Sequence, residues 1–323
     1  MNKPAPLIDQ FQRQITYLRV SLTEQCNLRC RYCLPEVGCA SVGQAEKWLS
    51  DAEILTLCQL AVRLGVRKIR LTGGEPLVRS GVLNLIKQLN ELRSLGLKEI
   101  CLTTNGFLLP RLAEKLKQAG VDRLNISIDS LDAERFRYIT RGGNLAQVLA
   151  GIAQAEAVGF ENIKLNTVLL GGINDEEITD FVELTRSRQL HVRFIELMPM
   201  GEALNWREAK FISCETVLER CPELKAQGSS GVAQLYQLPD GKGTVGLIRP
   251  LSCSFCADCN RLRITADGKV KVCLHSAEEC SLKGCTAEQM EEILRSALAN
   301  KWQAHQLNST GTKTSRYMSQ IGG

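Results

Sequence analysis

Three closely spaced cysteines, Cys26, Cys30 and Cys33, are the residues of this chain that most clearly indicate chemistry. They form a C-x3-C-x2-C pattern directly after a strand-like segment at residues 17–23. Three thiolates are too few for a closed tetrahedral zinc site, but they can hold an iron–sulfur cluster with one iron left open. An open iron can bind a molecule that reacts, so this segment is a candidate catalytic site. The alternatives are a zinc knuckle or buried, unreactive thiols.

A second group of cysteines lies towards the C-terminus, at Cys253, Cys256, Cys259 and Cys273. Its spacing leaves two ligand sets open. Cys253, Cys256 and Cys259 form a C-x2-C-x2-C run that could itself hold three irons, as in ferredoxin-like sequences. The other set combines Cys256 and Cys259 with the more distant Cys273.

The elements that must position these cysteines alternate between strand-like and helical patterns from residue 17 to about residue 198. The predicted strands cover residues 17–23, 66–72, 99–104, 123–129, 163–169 and 191–198. Regular alternation of this kind predicts parallel strands joined by right-handed helical crossovers. Six such units predict an α/β fold with a partial (βα)6 barrel of the TIM type, and a doubly wound open sheet is the rival.

The pattern weakens after the sixth unit. Residues 227–231 and 240–246 are rich in Gly and Ser and are predicted to be loops. Residues 261–265 and 269–273 predict a β-hairpin, and residues 288–304 predict a helix. We therefore expect a boundary between residues 1–224, the barrel, and residues 225–323, a C-terminal module that closes it.

Side-chain alternation within the predicted strands indicates a polar barrel interior. Leu18 and Val20 point to one side of the first strand, whereas Arg19 points to the other. The same alternation places Arg70 and Lys164 opposite aliphatic residues in the second and fifth strands. Helices must cover the apolar side, so the basic residues face inward, where unpaired charges are costly. They predict an anionic ligand in the interior; the alternative is that these side chains are solvated at strand ends.

The composition is that of an ordinary globular protein, with 323 residues, 44% hydrophobic and 23% charged. No apolar run is long enough to span a membrane, and residues 1–14 do not resemble a signal peptide, so we expect a cytoplasmic protein without a membrane partner. In that setting the 14 cysteines indicate metal ligands or catalytic groups rather than disulfides. A net charge of +5 without a dense Lys/Arg block does not indicate nucleic-acid binding.

The cysteine triad, with Tyr32 inside it and Thr72-Gly73-Gly74-Glu75-Pro76 after the second strand, resembles the radical S-adenosylmethionine (SAM) superfamily. The resemblance implies a [4Fe–4S] cluster on Cys26, Cys30 and Cys33 whose open iron is chelated by SAM. It also implies that one electron cleaves the sulfonium to methionine and a 5′-deoxyadenosyl radical. The glycines would let the backbone approach the methionine moiety because they have no Cβ.

Within that superfamily, the run from Phe255 to Arg263, followed by Cys273-Leu274 and a Gly322-Gly323 end, resembles the GTP 3′,8-cyclase family of molybdenum cofactor biosynthesis. The resemblance implies a second [4Fe–4S] cluster on Cys256, Cys259 and Cys273, with Cys253 as a bystander. It implies GTP contacts at Arg19, Arg70, Thr103, Lys164, Arg261 and Arg263. It implies SAM contacts at Tyr32, Gly74, Ser127 and Met198.

The same resemblance implies roles and partners. Arg261 and Arg263 would position the triphosphate and supply a proton after the C3′ radical of GTP attacks C8. An electron donor such as flavodoxin or ferredoxin would reduce the cluster, and cyclic pyranopterin monophosphate synthase would be the downstream enzyme. A homodimer and a Gly-Gly tail that reaches into the site are further family expectations.

Two other functions remain open at this level. A radical SAM enzyme that modifies a peptide would also need an auxiliary cluster, but the inward basic residues argue for a nucleotide instead. An iron–sulfur electron carrier or a zinc scaffold would have no need of Gly73 and Gly74. Iron content and nucleotide binding distinguish these possibilities.

Overall fold

The computed structural model describes residues 4–36, 47–253, 256–305 and 312–322. Its strands form one sheet. They are β1 Tyr17–Ser21, β2 Lys68–Thr72, β3 Glu99–Thr104, β4 Arg123–Ser127, β5 Ile163–Leu169, β6 Leu190–Glu196, β7 Lys225–Ser230, β8 Ala233–Gln237, β9 Thr244–Ile248, β10 Arg261–Ile264, β11 Lys269–Lys271 and β12 Cys280–Ser281. The helices are α1 Asp51–Arg63, α2 Val82–Glu91, α3 Leu109–Ala119, α4 Ala133–Thr140, α5 Leu145–Ala157, α6 Ile178–Ser187, α7 Glu215–Arg220, α8 Ala287–Ala299 and α9 Met318–Ile321.

Strands β1 to β6 lie side by side in sequence order, and each pair is parallel. This consecutive order matches a barrel, because a doubly wound sheet reverses its order at a switch point. The prediction of a partial (βα)6 barrel is therefore confirmed. The sheet continues beyond six strands, since β10 pairs in parallel with β1 and β9 pairs in parallel with β6. Over the described residues the sheet does not close, and β12 and β7 form its two ends.

The aliphatic side of the strands packs against the helices, as the alternation predicts. Leu18, Val20 and Ile69 are completely buried in the main hydrophobic core. Ser50 caps the N-terminus of helix α1, and its side chain forms the predicted capping box with Glu53. Among the described residues, none of the helices is long and apolar enough to cross a membrane.

Two predicted loops are partly strands. Residues 227–231 overlap β7, and residues 240–246 run into β9. Every residue of β7 is exposed and it pairs only with β8. An edge strand exposed on both faces has no hydrophobic alternation, so its sequence carries no strand signal. The predicted hairpin of β10 and β11 is confirmed, with Gly268 in a left-handed turn at φ +77°.

Candidate active site

A cavity of about 450 Å³ lies on the inward face of the sheet. All eight parallel strands contribute lining residues, so the sheet curves around this space as a barrel wall does. Ten of the residues predicted from the sequence line it. They are Arg19, Arg70, Thr103, Lys164, Arg261 and Arg263 from the GTP set, Met198 from the SAM set, and Cys256, Cys259 and Cys273.

The strand register places a row of arginines across one wall of the cavity. Arg263 on β10 is the neighbour of Arg19 on β1, and Arg19 is the neighbour of Arg70 on β2. Arg70 is held by Tyr17, whose hydroxyl accepts from its Nε at 2.5 Å, and by the Thr103 hydroxyl at 3.3 Å. The guanidinium of Arg261 lies 5.5 Å from the centre of the Tyr17 ring. These contacts hold Arg70 and Arg261 against neighbouring residues of the cavity wall.

The local pKa values show a strong excess of positive charge. Burial, followed by the charge of Arg193, lowers the pKa of Lys164 to about 7. Burial and Arg261 lower the pKa of Arg263 to about 10. Burial opposes ionisation of Tyr17, but Arg70 and its neighbouring arginines outweigh it and lower the pKa of the Tyr17 hydroxyl to about 8. A polyanion in the cavity would relieve this mutual repulsion.

Sequence reasoning missed other basic groups of the same wall. Arg193 on β6 is 8% exposed and lines the cavity with Lys68 and Arg123. Arg193 could have been predicted from the sequence, because side-chain alternation along the predicted sixth strand places it on the inward face. Within the described residues, Arg193 Nε and the amide oxygens of Asn125 and Asn166 are buried without hydrogen-bond partners. Buried polar atoms of this kind suit a polar ligand.

The first cysteine triad lies beyond the carboxyl end of β1, and its three thiols are half-buried and free of disulfides. The Cys26 sulfur accepts hydrogen bonds from Leu28 N at 3.4 Å and Asn105 Nδ2 at 3.7 Å. The Tyr32 hydroxyl donates to Asp129 at 2.7 Å, so the cysteine loop is attached to the segment that follows β4. Ser127 is the last residue of β4, which places it at this same end of the sheet.

Gly73 and Gly74 pack directly against the backbone that leads into the cysteine loop. A Cβ on Gly73 would lie 2.4 Å from the carbonyl oxygen of Thr23, and one on Gly74 would lie 2.3 Å from that of Gln25. Gly74 N also donates to Thr23 O at 2.7 Å. The glycines therefore meet a packing requirement of the fold itself, in addition to the SAM contact that the resemblance implies for Gly74.

Replacing Gly74 by alanine is expected to displace the segment before Cys26, because the new Cβ would overlap backbone that cannot rotate away. We expect less cluster iron per chain after reconstitution and weaker SAM binding, measured by iron analysis and equilibrium dialysis. Gly159→Ala is the matched control, because a Cβ there meets nothing within 4 Å, although its φ of +81° adds some strain. Equal iron content in both variants would contradict the packing argument.

The second cysteine group lies at the opposite end of the parallel strands, because Cys256 and Cys259 precede β10 whereas the triad follows β1. The second group lines the cavity, and the triad does not. Lys301 is 2% exposed and ties this region together. Its Nζ donates to Val272 O at 2.6 Å and to Arg261 O at 3.2 Å, and it lies 3.7 Å from the sulfur of Cys259. Burial opposes thiolate formation at Cys259, but Lys301 together with Arg261 and Arg263 outweighs it and lowers the pKa of that thiol.

Cys253, the alternative ligand, is exposed and does not line the cavity. Among the described residues, no three His, Cys, Asp or Glu side chains meet closely enough for a single metal ion. An iron–sulfur cluster has no such requirement, since each cysteine binds a different iron. The N–H···S contacts at Cys26, Cys259 and Cys256, where His305 N lies 3.4 Å away, suit cluster thiolates.

The C-terminal segment contacts two arginines of the cavity wall. The carbonyl oxygen of Gly322 accepts from Arg263 at 2.9 Å, and Arg19 lies 3.5 Å away. Arg316 anchors this segment through Glu279 at 2.6 Å and Asp267 at 2.8 Å. The described residues end at Gly322, so the Gly323 half of the predicted Gly-Gly tail lies outside them.

Comparisons with known proteins match both halves of the site. Residues 20–185 match the radical SAM superfamily, and residues 190–309 match the family described as Molybdenum Cofactor Synthesis C. The chain is 47% identical to a GTP 3′,8-cyclase of Alkaliphilus oremlandii over 98% of this chain and 99% of the relative. It is 41% identical to one of Listeria monocytogenes, again over 98% and 99%.

Among solved structures, the fold is similar to that of Streptococcus suis SuiB bound to S-adenosylmethionine. The TM-score is 0.66 and the identity is 12%, over 90% of this chain and 69% of SuiB. At that identity the similarity concerns the fold alone. It supports the barrel arrangement and carries no information about the substrate.

Proposed function

This chain belongs to the radical SAM superfamily and, within it, to the GTP 3′,8-cyclase family, and we propose on this basis that it cyclises GTP. The product is (8S)-3′,8-cyclo-7,8-dihydroguanosine 5′-triphosphate, formed by hydrogen abstraction at C3′ and bond formation between C3′ and C8. This is the first step of molybdenum cofactor biosynthesis. The superfamily uses an iron–sulfur cluster and SAM, which when bound supply the radical that removes the hydrogen.

The main support for the proposal is the row of Arg263, Arg19 and Arg70 in the cavity. The lining of the same cavity includes Cys256, Cys259 and Cys273. A triphosphate brings several negative charges, and guanidinium groups bind phosphate oxygens in pairs. Lys164 adds a charge from the far wall of the same cavity. The basic residues hold the substrate while the strand wall excludes water, so orientation is the contribution of the protein.

We propose that Cys256, Cys259 and Cys273 hold a second [4Fe–4S] cluster at the end of the cavity opposite the triad. The support is their shared place in the cavity lining and the contact of Lys301 with Cys259. In this arrangement the module of residues 225–323 supplies the substrate-facing cluster, and residues 1–224 supply the radical. Tyr32, Gly74, Ser127 and Met198 are proposed to contact SAM.

The proposal extends to the surroundings of the enzyme. The electron comes from a carrier such as flavodoxin or ferredoxin, and the product passes to cyclic pyranopterin monophosphate synthase. We also propose a homodimer and a cytoplasmic location. Each of these rests on the family rather than on a contact within the chain.

GTP binding is expected to take up a proton at Lys164. The pKa of this ammonium is about 7 because burial and Arg193 disfavour its charge, and a triphosphate would raise it. Affinity should therefore fall as the pH rises from 7 to 9. Calorimetry in buffers of different ionisation enthalpy measures the uptake directly, and Lys164→Met should abolish most of it. Binding without proton uptake at pH 8 would show that the triphosphate does not approach Lys164.

The test of the proposed function is anaerobic incubation of the iron-loaded protein with GTP, SAM and dithionite. We expect 5′-deoxyadenosine and the cyclised nucleotide in comparable amounts, identified by mass spectrometry. Full iron loading without either product would refute the proposal. Binding of a peptide in place of GTP would favour the peptide-modifying alternative.

A further inference from the structure

Backbone hydrogen bonds join the loop of the first cysteine triad to the C-terminal end of helix α4. Arg29 N donates to Thr140 O at 3.2 Å, and Arg31 N donates to Ile139 O at 2.9 Å. The side chain of Arg141 donates in turn to the Arg29 carbonyl at 3.2 Å. These bonds make the two segments one surface, immediately beside the cysteines.

This surface, which we call the arginine surface, consists of Arg29, Arg31, Arg137, Tyr138 and Arg141. The segments that form it, residues 26–36 and 133–143, contain these four arginines, Arg135 and two carboxylates, Glu36 and Glu134. None of the four arginines forms an ion pair with a residue that the structure describes.

An exposed aromatic side chain lies against one of these arginines. Tyr138 is 40% exposed, and the guanidinium of Arg31 lies 4.2 Å from the centre of its ring. The ring of Trp206, which is buried, lies 6.2 Å from that of Tyr138 and supports it from beneath. Arg29 and Arg137 are both exposed. An exposed aromatic side chain packed against an arginine, next to further arginines that form no ion pair with described residues, is the composition of a protein-binding surface.

We propose that the arginine surface docks an acidic protein that carries single electrons and delivers them to the cluster of Cys26, Cys30 and Cys33. The inference rests on the proposed function, because it requires a cluster that needs one electron in each turnover. The carrier is oxidised by one electron at its flavin or iron–sulfur centre, the cluster is reduced by that electron, and no bond or proton is transferred. Charge complementarity selects an acidic partner and speeds its association.

The decisive variant is Arg29→Glu with Arg137→Glu, made in the iron-loaded protein. Both changes are in exposed side chains, so the backbone bonds of the cysteine loop remain. With a flavodoxin as the probe, we expect the affinity measured by calorimetry at low salt to weaken at least about tenfold. The rate of cluster reduction by the reduced flavodoxin should fall by a similar factor. Production of 5′-deoxyadenosine with dithionite should stay within about twofold, since a small reductant needs no docking.

Lys98→Glu with Lys225→Glu is the matched control, because it makes the same change in net charge on exposed residues away from the triad. Lys98 precedes β3, at the end of the parallel strands opposite the cysteine loop. Unchanged flavodoxin affinity in the arginine variant, or equal weakening in both pairs, would overturn the proposal. Failure of GTP cyclisation would appear instead in the dithionite reaction of the unmodified protein, so the two failures are distinguishable.

Discussion

Cys256→Ala is expected to lower the iron content from about eight to about four per chain and to abolish GTP cyclisation. A cluster held by three cysteines cannot lose one ligand and remain stable, and Cys256 faces the cavity with Cys259 and Cys273. SAM binding should persist, because the triad at the other end of the sheet is untouched. Iron and sulfide analysis with electron paramagnetic resonance of the reduced protein distinguishes one cluster from two.

Cys253→Ala is the paired experiment, since it decides between the two ligand sets that the spacing leaves open. Cys253 is exposed and does not line the cavity, so we expect full iron content and unchanged product formation. Loss of iron on replacement of Cys253 would instead assign the cluster to the C-x2-C-x2-C run, because Cys256 and Cys259 belong to both ligand sets.

The alternation of side chains along the strands predicted the basic lining of the cavity well, because this alternation depends only on local backbone geometry. A parallel strand packed by helices on one side must place its other side chains inward, so Arg19, Arg70 and Lys164 could be assigned from the sequence. Arg193 follows the same rule on β6. The cavity lining contains all four of these residues.

Features that depend on pairing between strands far apart in the sequence were harder to predict. No local pattern shows that β10 joins the barrel beside β1, or that β9 joins it beside β6. β9 is five residues long and follows an exposed edge hairpin, so its place is set by tertiary packing. The close packing that excludes a Cβ at Gly73 and Gly74 could not be predicted either. It comes from the backbone of residues 23–25, which follows the neighbouring strand β1.

Arg263→Gln is expected to lower kcat/KM for GTP by at least about 30-fold, which corresponds to about 2 kcal/mol of lost interaction with the triphosphate. Arg263 lines the cavity beside Arg19, and its guanidinium donates to the carbonyl oxygen of Gly322 in the C-terminal segment. Arg123→Gln removes the same formal charge from the cavity lining, but Arg123 is already paired with Glu99 at 2.8 Å. We expect less than about a fivefold effect there.

Stability separates a functional loss at Arg263 from structural damage. Burial and Arg261 lower the pKa of Arg263, so the charged side chain opposes folding in the absence of an anion. Removing it should therefore leave the melting temperature of the GTP-free protein unchanged or higher, while the stabilisation produced by added GTP becomes smaller. A variant that melts well below the parent would show that Arg263 supports the fold through Gly322. A variant that melts higher and binds GTP poorly would show that this charge is retained for the substrate.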